Sequence, residues 1–152
     1  MKYLTAVLLI VGCTALQTLT GRVVGVVDGD TVTVLIEGNK QERIRLLDID
    51  APETGQPFSE KSRQFLSGMV AGKTVTVEYA GRDQYGRILG TVFVDGKNVN
   101  EELVKAGLAW NYVYSRNNRY ARLEAEARSK RLNIFSEPNP VNPYDYRRGK
   151  RK

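Results

Sequence analysis

The chain has 152 residues, with 23 basic against 17 acidic side chains, a formal net charge of +6, one cysteine and no histidine. That length suits a single domain able to bury its own core. The lack of histidine excludes Ser-His-Asp and Cys-His catalysis and imidazole-built zinc sites, and a lone cysteine excludes an internal disulfide or a thiolate metal cage. Acid–base chemistry therefore falls to carboxylates, lysine, tyrosine or water, and any catalytic metal to oxygen ligands, which favours calcium or magnesium. The charge is uneven. The end of the chain, "RRGKRK", holds five of the 23 basic groups, leaving 18 against 17 acidic ones. Such an end can hold polyanions by counterion release, or simply act as a solubilising tail.

The chain opens on "MKYLTAVLLIVGC", one lysine followed by an apolar run from Tyr3 to Gly12. The run is shorter than the roughly 20 residues that a bilayer-spanning helix needs. It reads as an export signal. Cleavage after Ala15 is one outcome. The stretch "IVGC" also resembles a bacterial lipobox, which makes Cys13 a lipidation candidate and a membrane anchor; otherwise Cys13 is one more small residue of the apolar segment. Residues 1–20 are assigned to this signal, and both outcomes place the protein outside the cytosol, secreted, periplasmic or held at the cell envelope.

From Arg22, "RVVGVV" and "TVTVLI" read as strands separated by the tight turn "DGD", "EGNK" turns again, and "QERIRLL" begins a third strand, giving a three-stranded meander. "PFSEKSRQFLSGMVAGK" predicts a helix with Ser59 as its N-cap, Phe65, Leu66 and Met69 near one face, and Gly72 closing it. "KTVTVEY" and "RILGTVFV" are a fourth and a fifth strand. "NVNEELVKAGLA" predicts a short helix capped by Asn100, and "RYARLEAEARSKRL" a third helix. The tail "PNPVNPYDYRRGKRK" has three prolines and no apolar period, so residues 138–152 are expected to be irregular and disordered. Five strands with a helix between the third and fourth is the layout of an OB barrel, an α+β fold over residues 21–137.

The charges cluster where the third strand ends, in "RLLDIDAPE". In a meander the start of strand two lies beside the end of strand three, which brings Asp30 of "DGD" near Asp50. Two carboxylates meeting there repel unless a cation sits between them, and a hard divalent ion suits such oxygens. Asp48 shares the parity of Asp50 on an extended strand and reads mainly as a solvated charge. Pro52 holds Ala51 extended, and Glu53 projects just beyond, placed as a general base would be. Arg45 shares the parity of Leu47 and Ile49, which read as inward-facing. It is either a buried ion-pair partner or a phosphate clamp. Arg87 follows a Tyr-Gly turn at the start of the fifth strand and can reach across the barrel mouth. Tyr85, Tyr112 and Tyr114 recur at the expected rim, where rings either stack on bases or are ordinary half-buried aromatics.

Together "VVDGDTVTV", "IRLLDIDAPE", "DQYGRILGTVFVDGKNVNEELVKAGLAW" and "EARSKRLNIFSE", in order from Val26 to Glu137, resemble the staphylococcal nuclease-like, or thermonuclease, family. The resemblance implies a five-stranded OB-fold barrel with three helices and calcium-dependent hydrolysis of DNA and RNA. It implies calcium held by Asp30, Asp50 and the backbone carbonyl of Ala51, where the best-known member has threonine. It further implies Glu53 as general base, Arg45 and Arg87 as catalytic arginines, and Tyr85, Tyr112 and Tyr114 lining the nucleotide site. Cleavage would fall at the bond to the 5′ oxygen, leaving 3′-phosphate ends, with the proton donor to the leaving oxygen left open. Two departures bear on affinity and on exo or endo preference: the loop from Thr54 to Ser59 is short, and Gln84 stands where a lysine is expected. A monomer is expected. The rival readings are a non-catalytic OB module that binds nucleic acid, and an envelope protein whose basic tail meets anionic surfaces.

Overall fold

A computed structural model describes residues 15–149. Its strands are β1 (Gln17–Asp28), β2 (Thr31–Ile36), β3 (Lys40–Leu46), β4 (Ile49–Asp50), β5 (Thr74–Arg82), β6 (Ile88–Val94), β7 (Lys97–Asn98) and β8 (Trp110–Asn111). The helices are α1 (Ser59–Val70), α2 (Val99–Lys105), α3 (Asn118–Ser129) and α4 (Pro143–Arg147). The five long strands pair in the order β3-β2-β1-β5-β6, and a parallel pairing of β3 with β6 closes them into a barrel. This is the expected OB-type α+β architecture, with α1 between the third and fourth long strands.

Alternation builds the core. Val32 and Val34 of β2, Ile44 and Leu46 of β3, Val75 and Val77 of β5, and Ile88 and Val92 of β6 all point inward and are buried. Each strand hides every second residue, as a two-residue side-chain period requires. Leu66 and Val70 of α1 and Leu103 and Val104 of α2 close the barrel over this set. β1 serves two neighbours: residues 17–22 pair with β5 and residues 22–28 with β2. Where it passes between them, a Cβ on Gly21 would lie 2.4 Å from the Leu35 carbonyl oxygen, so only glycine allows the approach.

Several expectations need correction. β1 begins at Gln17, so the domain starts before residue 21; the polar run "QTLT" hides Leu19, which packs against the core while its backbone pairs with β5. The apolar segment through Thr14, Cys13 included, lies outside the described residues. Ser59 is the first residue of α1 and not its cap; that place belongs to Phe58, at φ 68° and with no side-chain cap bond. Asn98, not Asn100, caps α2 by accepting from the Glu101 N–H. Asn100 is instead fully buried. It accepts from Val92 N–H at 3.1 Å and donates to the carbonyls of Leu47 and Gly90 at 3.0 and 3.1 Å. The tail is not irregular throughout. Asn142 accepts from Tyr144 N–H at 2.9 Å, Pro143 occupies the first turn, and α4 follows as a fourth helix. No helix among the described residues is long and apolar enough to cross a membrane.

Glu42, on the inner row of β3, is clasped by Arg82 at the end of β5 through two hydrogen bonds of 2.8 and 3.0 Å, with Lys40 at 3.0 Å. The clasp spans β6 and reinforces closure. The hydrogen bonds from Arg82 hold the Glu42 carboxyl down at about 2, against an ordinary 4.5. A lowered carboxylate pKa contributes stability above its unfolded value and loses it as pH falls toward the folded one. Arg82 is 45% exposed, so solvent screening holds the contribution to about 1 kcal/mol. Glu42→Gln is expected to lower urea-unfolding stability by about that amount at pH 7, with the gap closing between pH 4.5 and 2. A gap that does not change with pH would assign the loss to packing alone.

Candidate active-site cleft

The "DGD" turn is clamped before it does anything else. Asp30 N–H donates to the Asp28 carboxylate at 3.0 Å, and Leu46 N–H donates to the Asp30 carbonyl at 2.8 Å. A Cβ on Gly29 would stand 2.7 Å from Ser62 Cβ and 2.8 Å from Ala51 Cβ, so the turn is pressed against α1 and against the residue after β4. The pairing of Thr31 with Arg45 sets the start of β2 beside the end of β3, as the meander requires.

Arg45 then ties the turn to the next loop. Its Nη1 donates to the carbonyls of Leu46 and Ile49 at 2.7 and 2.8 Å. Its Nη2 lies 3.3 Å from Asp30 Oδ2 and 3.2 Å from Asp50 Oδ1. Asp30 Oδ2 also accepts from Ala51 N–H at 2.8 Å. Asp30, Asp50 and Ala51 thus lie together, and Arg45 is the ion-pair partner of the two carboxylates while also lining the cleft. Its expected parity is wrong, however. Ile44 and Leu46 face the core, so Arg45 between them faces the other way, while Asp48 at φ 64° turns the chain before β4 and carries Ile49 into the interior. For the same reason Asp48 and Asp50 do not share a strand face. Asp48 is half-buried at the cleft rather than fully solvated, and burial raises its carboxyl pKa.

Glu53 stands one residue beyond Pro52, on a loop held by Gln56, which accepts from Glu53 N–H at 2.9 Å and donates to the Val141 carbonyl at 2.9 Å. Arg87 precedes β6, and its Nε donates to Asp83 at 2.7 Å. Asp83 also accepts from the backbone N–H groups of Tyr85 and Arg87. Burial opposes the charge on Asp83, but these bonds outweigh it and lower its pKa. Asp30, Arg45, Glu53 and Arg87 line one cleft of about 760 Å³, with Tyr85, Tyr112 and Tyr114 along it. Tyr85 and Tyr114 are largely exposed, which places them at the rim. Asp30, Arg45, Asp48, Glu53, Arg87 and the three tyrosines therefore line this cleft, and Asp50 and Ala51 sit directly behind it.

Two participants were not foreseen. Asp28 lines the same cleft, and burial together with the neighbouring Asp30 charge pushes its carboxyl up to about 7. Arg147, from α4, reaches in and binds both Asp50 oxygens, at 3.0 and 2.9 Å, and Glu53 at 2.6 Å. Burial raises the Asp50 carboxyl pKa, against the pull of Arg147 and Arg45. An Asn-Pro pair ahead of "YDYRR" is a helix-start signal that could have placed Arg147 on an ordered element.

The cleft and the wall directly behind it thus gather six carboxyl groups, Asp28, Asp30, Asp48, Asp50, Glu53 and Asp83, against three guanidinium groups, Arg45, Arg87 and Arg147. Carboxyl groups outnumber guanidinium groups here, and such an acidic set fits a hard divalent cation in an all-oxygen donor set. Among the described residues no three metal-ligating side chains stand grouped around one point. A cation here would take Asp30 and Asp50 and complete its shell with backbone carbonyl and water, as such ions do.

Comparison with known proteins bears directly on this cleft. The sequence model of the staphylococcal nuclease homologue family matches residues 43–137. An uncharacterized endonuclease of Escherichia coli is 45% identical over 98% of this chain and 99% of its own length. A micrococcal nuclease of Shigella flexneri is 40% identical over 94% of this chain and 88% of its own. A staphylococcal-like nuclease of Arabidopsis thaliana is 41% identical over 74% of this chain and 35% of its own. The family match takes in Arg45, Asp50, Glu53, Arg87 and the three tyrosines, and the bacterial relatives align along nearly the whole sequence: the chain belongs to the staphylococcal nuclease homologue family.

Proposed function

We propose that this protein is an exported, calcium-dependent nuclease that hydrolyses phosphodiester bonds of DNA and RNA to 3′-phosphate products. Nuclease activity is supported by the family and by the names its relatives carry. The observation that carries the finer reading is the position of Arg45 between Asp30 and Asp50, with Glu53 and Arg87 opening on the same cleft. Export is supported by the apolar N-terminal segment, with Cys13 as the lipid-bearing residue if the chain is anchored.

Bound calcium would supply positive charge at a non-bridging phosphate oxygen and favour ionisation of the attacking water. Asp30 and Asp50 would hold it, helped by the Ala51 carbonyl. Arg45 is immobilised by two carbonyls and two carboxylates, so it presents a fixed charge to the phosphate with little reorganisation. Arg87, braced by Asp83, presents a second guanidinium from the opposite hairpin. These two groups stabilise the charge that accumulates on the phosphoryl oxygens as phosphorus becomes five-coordinate. The Glu53 carboxylate accepts a proton from the attacking water. Tyr85, Tyr112 and Tyr114 offer ring faces and hydroxyls to the nucleotide; Tyr112 and Tyr114 already meet edge to face at 5.7 Å. Stacking on such rings tolerates any base, which suits a nuclease acting on both DNA and RNA.

Single-stranded DNA incubated with the protein is expected to be cut with calcium present and left intact with a chelator. Glu53→Gln is expected to slow cleavage by about 10²-fold or more, the scale of a lost general base. Salt-sensitive DNA binding with no cleavage under any divalent ion would instead establish a non-catalytic binding module. Deleting residues 150–152, which removes three of the terminal positive charges, is expected to lower the cleavage rate at low salt and leave it unchanged at high salt. Equal rates across salt would exclude the tail from substrate capture.

A further inference from the structure

Arg147 lies 97 residues beyond Asp50 in sequence, yet it takes both oxygens of that carboxylate. Asp50 is 1% exposed, and its Oδ1 also meets Arg45. Its Nη1 also donates to Glu53 at 2.6 Å. The guanidinium therefore occupies two carboxylates that the nuclease reading assigns to metal binding and to proton transfer. It is a cation on an acidic cradle, supplied by the chain itself.

The element that delivers it is weakly built. α4 has five residues, far below the length at which a helix persists alone in water. It is seated by polar and aromatic contacts at the cleft margin. The Tyr144 hydroxyl lies 2.7 Å from that of Tyr114, and their rings meet edge to face at 5.5 Å. Arg148 donates to the Tyr144 hydroxyl at 2.7 Å and lies over its ring. Gln56, on the Glu53 loop, holds the Val141 carbonyl just ahead of the helix. Apart from Pro143, no residue of α4 is buried. A helix this short, seated by half-buried and exposed contacts at the margin rather than in the core, opens at lower free-energy cost than the barrel.

We propose that α4 is a latch and that Arg147 competes with the divalent cation for Asp50 and Glu53, so that the entering cation expels Arg147 and unseats the helix. This rests on the calcium reading above. A guanidinium and a divalent ion cannot share the two Asp50 oxygens without placing three positive charges within a few ångströms. Binding of one is release of the other. Two consequences follow. The apparent calcium affinity is reduced by the fraction of molecules that are latched. Unseating α4 also withdraws Tyr144 from Tyr114, so metal entry frees a ring and a hydroxyl at the substrate rim.

Titration calorimetry with calcium chloride tests the competition directly. Arg147→Gln is expected to bind calcium about tenfold more tightly than the parent protein, as removal of a closed state predicts, with Arg147→Lys in between. Amide hydrogen exchange on the unmutated protein provides a second reading that needs no variant: calcium is expected to speed exchange across residues 143–148. Equal or weaker calcium affinity in Arg147→Gln, or unchanged or slower exchange in that segment, overturns the latch while leaving the nuclease reading intact. Calcium binding by neither protein overturns both.

Discussion

A guanidinium removed from water costs several kcal/mol unless its charge is paired and it is well hydrogen-bonded. Arg45, with 15% of its side chain exposed, meets that demand by linking the carbonyls that flank the Asp48 reversal to the carboxylates of Asp30 and Asp50. The rest of the cleft depends on this arrangement. The reversal places Asp50 on β4, Ala51 beside the "DGD" turn and Glu53 beyond Pro52. Without Arg45 the loop would lose its internal brace, and Asp30 would lose the cation that stands between it and Asp50. The residue proposed to meet the phosphate is thus also the one that holds its neighbours in place.

A second tie acts from behind. Asn100 leaves no side-chain polar group unpaired, and its three partners belong to β6 and to Leu47, the residue after β3. It joins the first turn of α2 to the two strands whose parallel pairing closes the barrel, at the point where the loop carrying Asp48, Asp50 and Glu53 departs. Asp30 and Arg45 are set by the meander, Arg87 by the β5–β6 hairpin and Glu53 by the Gln56 brace. The cleft is assembled from separate elements that share one closed frame, so its geometry is a property of the barrel and not of any one loop.

Much of this was legible because period-two alternation and tight-turn chemistry are local. "TVTVLI" and "ILGTVFV" announce their buried faces, and "DGD" announces the turn. Strand adjacency in a meander then places Asp30 near Asp50 with no further information. What failed to show was decided by tertiary contact or by single backbone angles. Parity counted from Arg45 to Ile49 assumed a continuous strand, and one left-handed aspartate, Asp48, invalidated it. Of the two asparagines in "NVN", either could cap a helix. Only the packing of β6 shows that Asn100 is spent on the barrel and Asn98 on the cap. The proline-rich tail concealed α4 because a five-residue helix has no apolar period to reveal it. The surplus charge of "RRGKRK" drew attention to solvent and polyanions, while its first arginine is turned inward onto Asp50.

The lone tryptophan sits under that tail. Trp110 on β8 is buried against Phe135, edge to face at 5.1 Å, with the Arg128 guanidinium 4.7 Å above its ring. It also walls a cavity of about 300 Å³ shared with Pro140, Val141 and Tyr146, the segment that leads into and through α4. One indole in the whole chain thus borders the stretch whose displacement would unseat the helix. The protein carries its own fluorophore there: the emission colour and quantum yield of Trp110 report on that segment without any label, separately from substrate turnover.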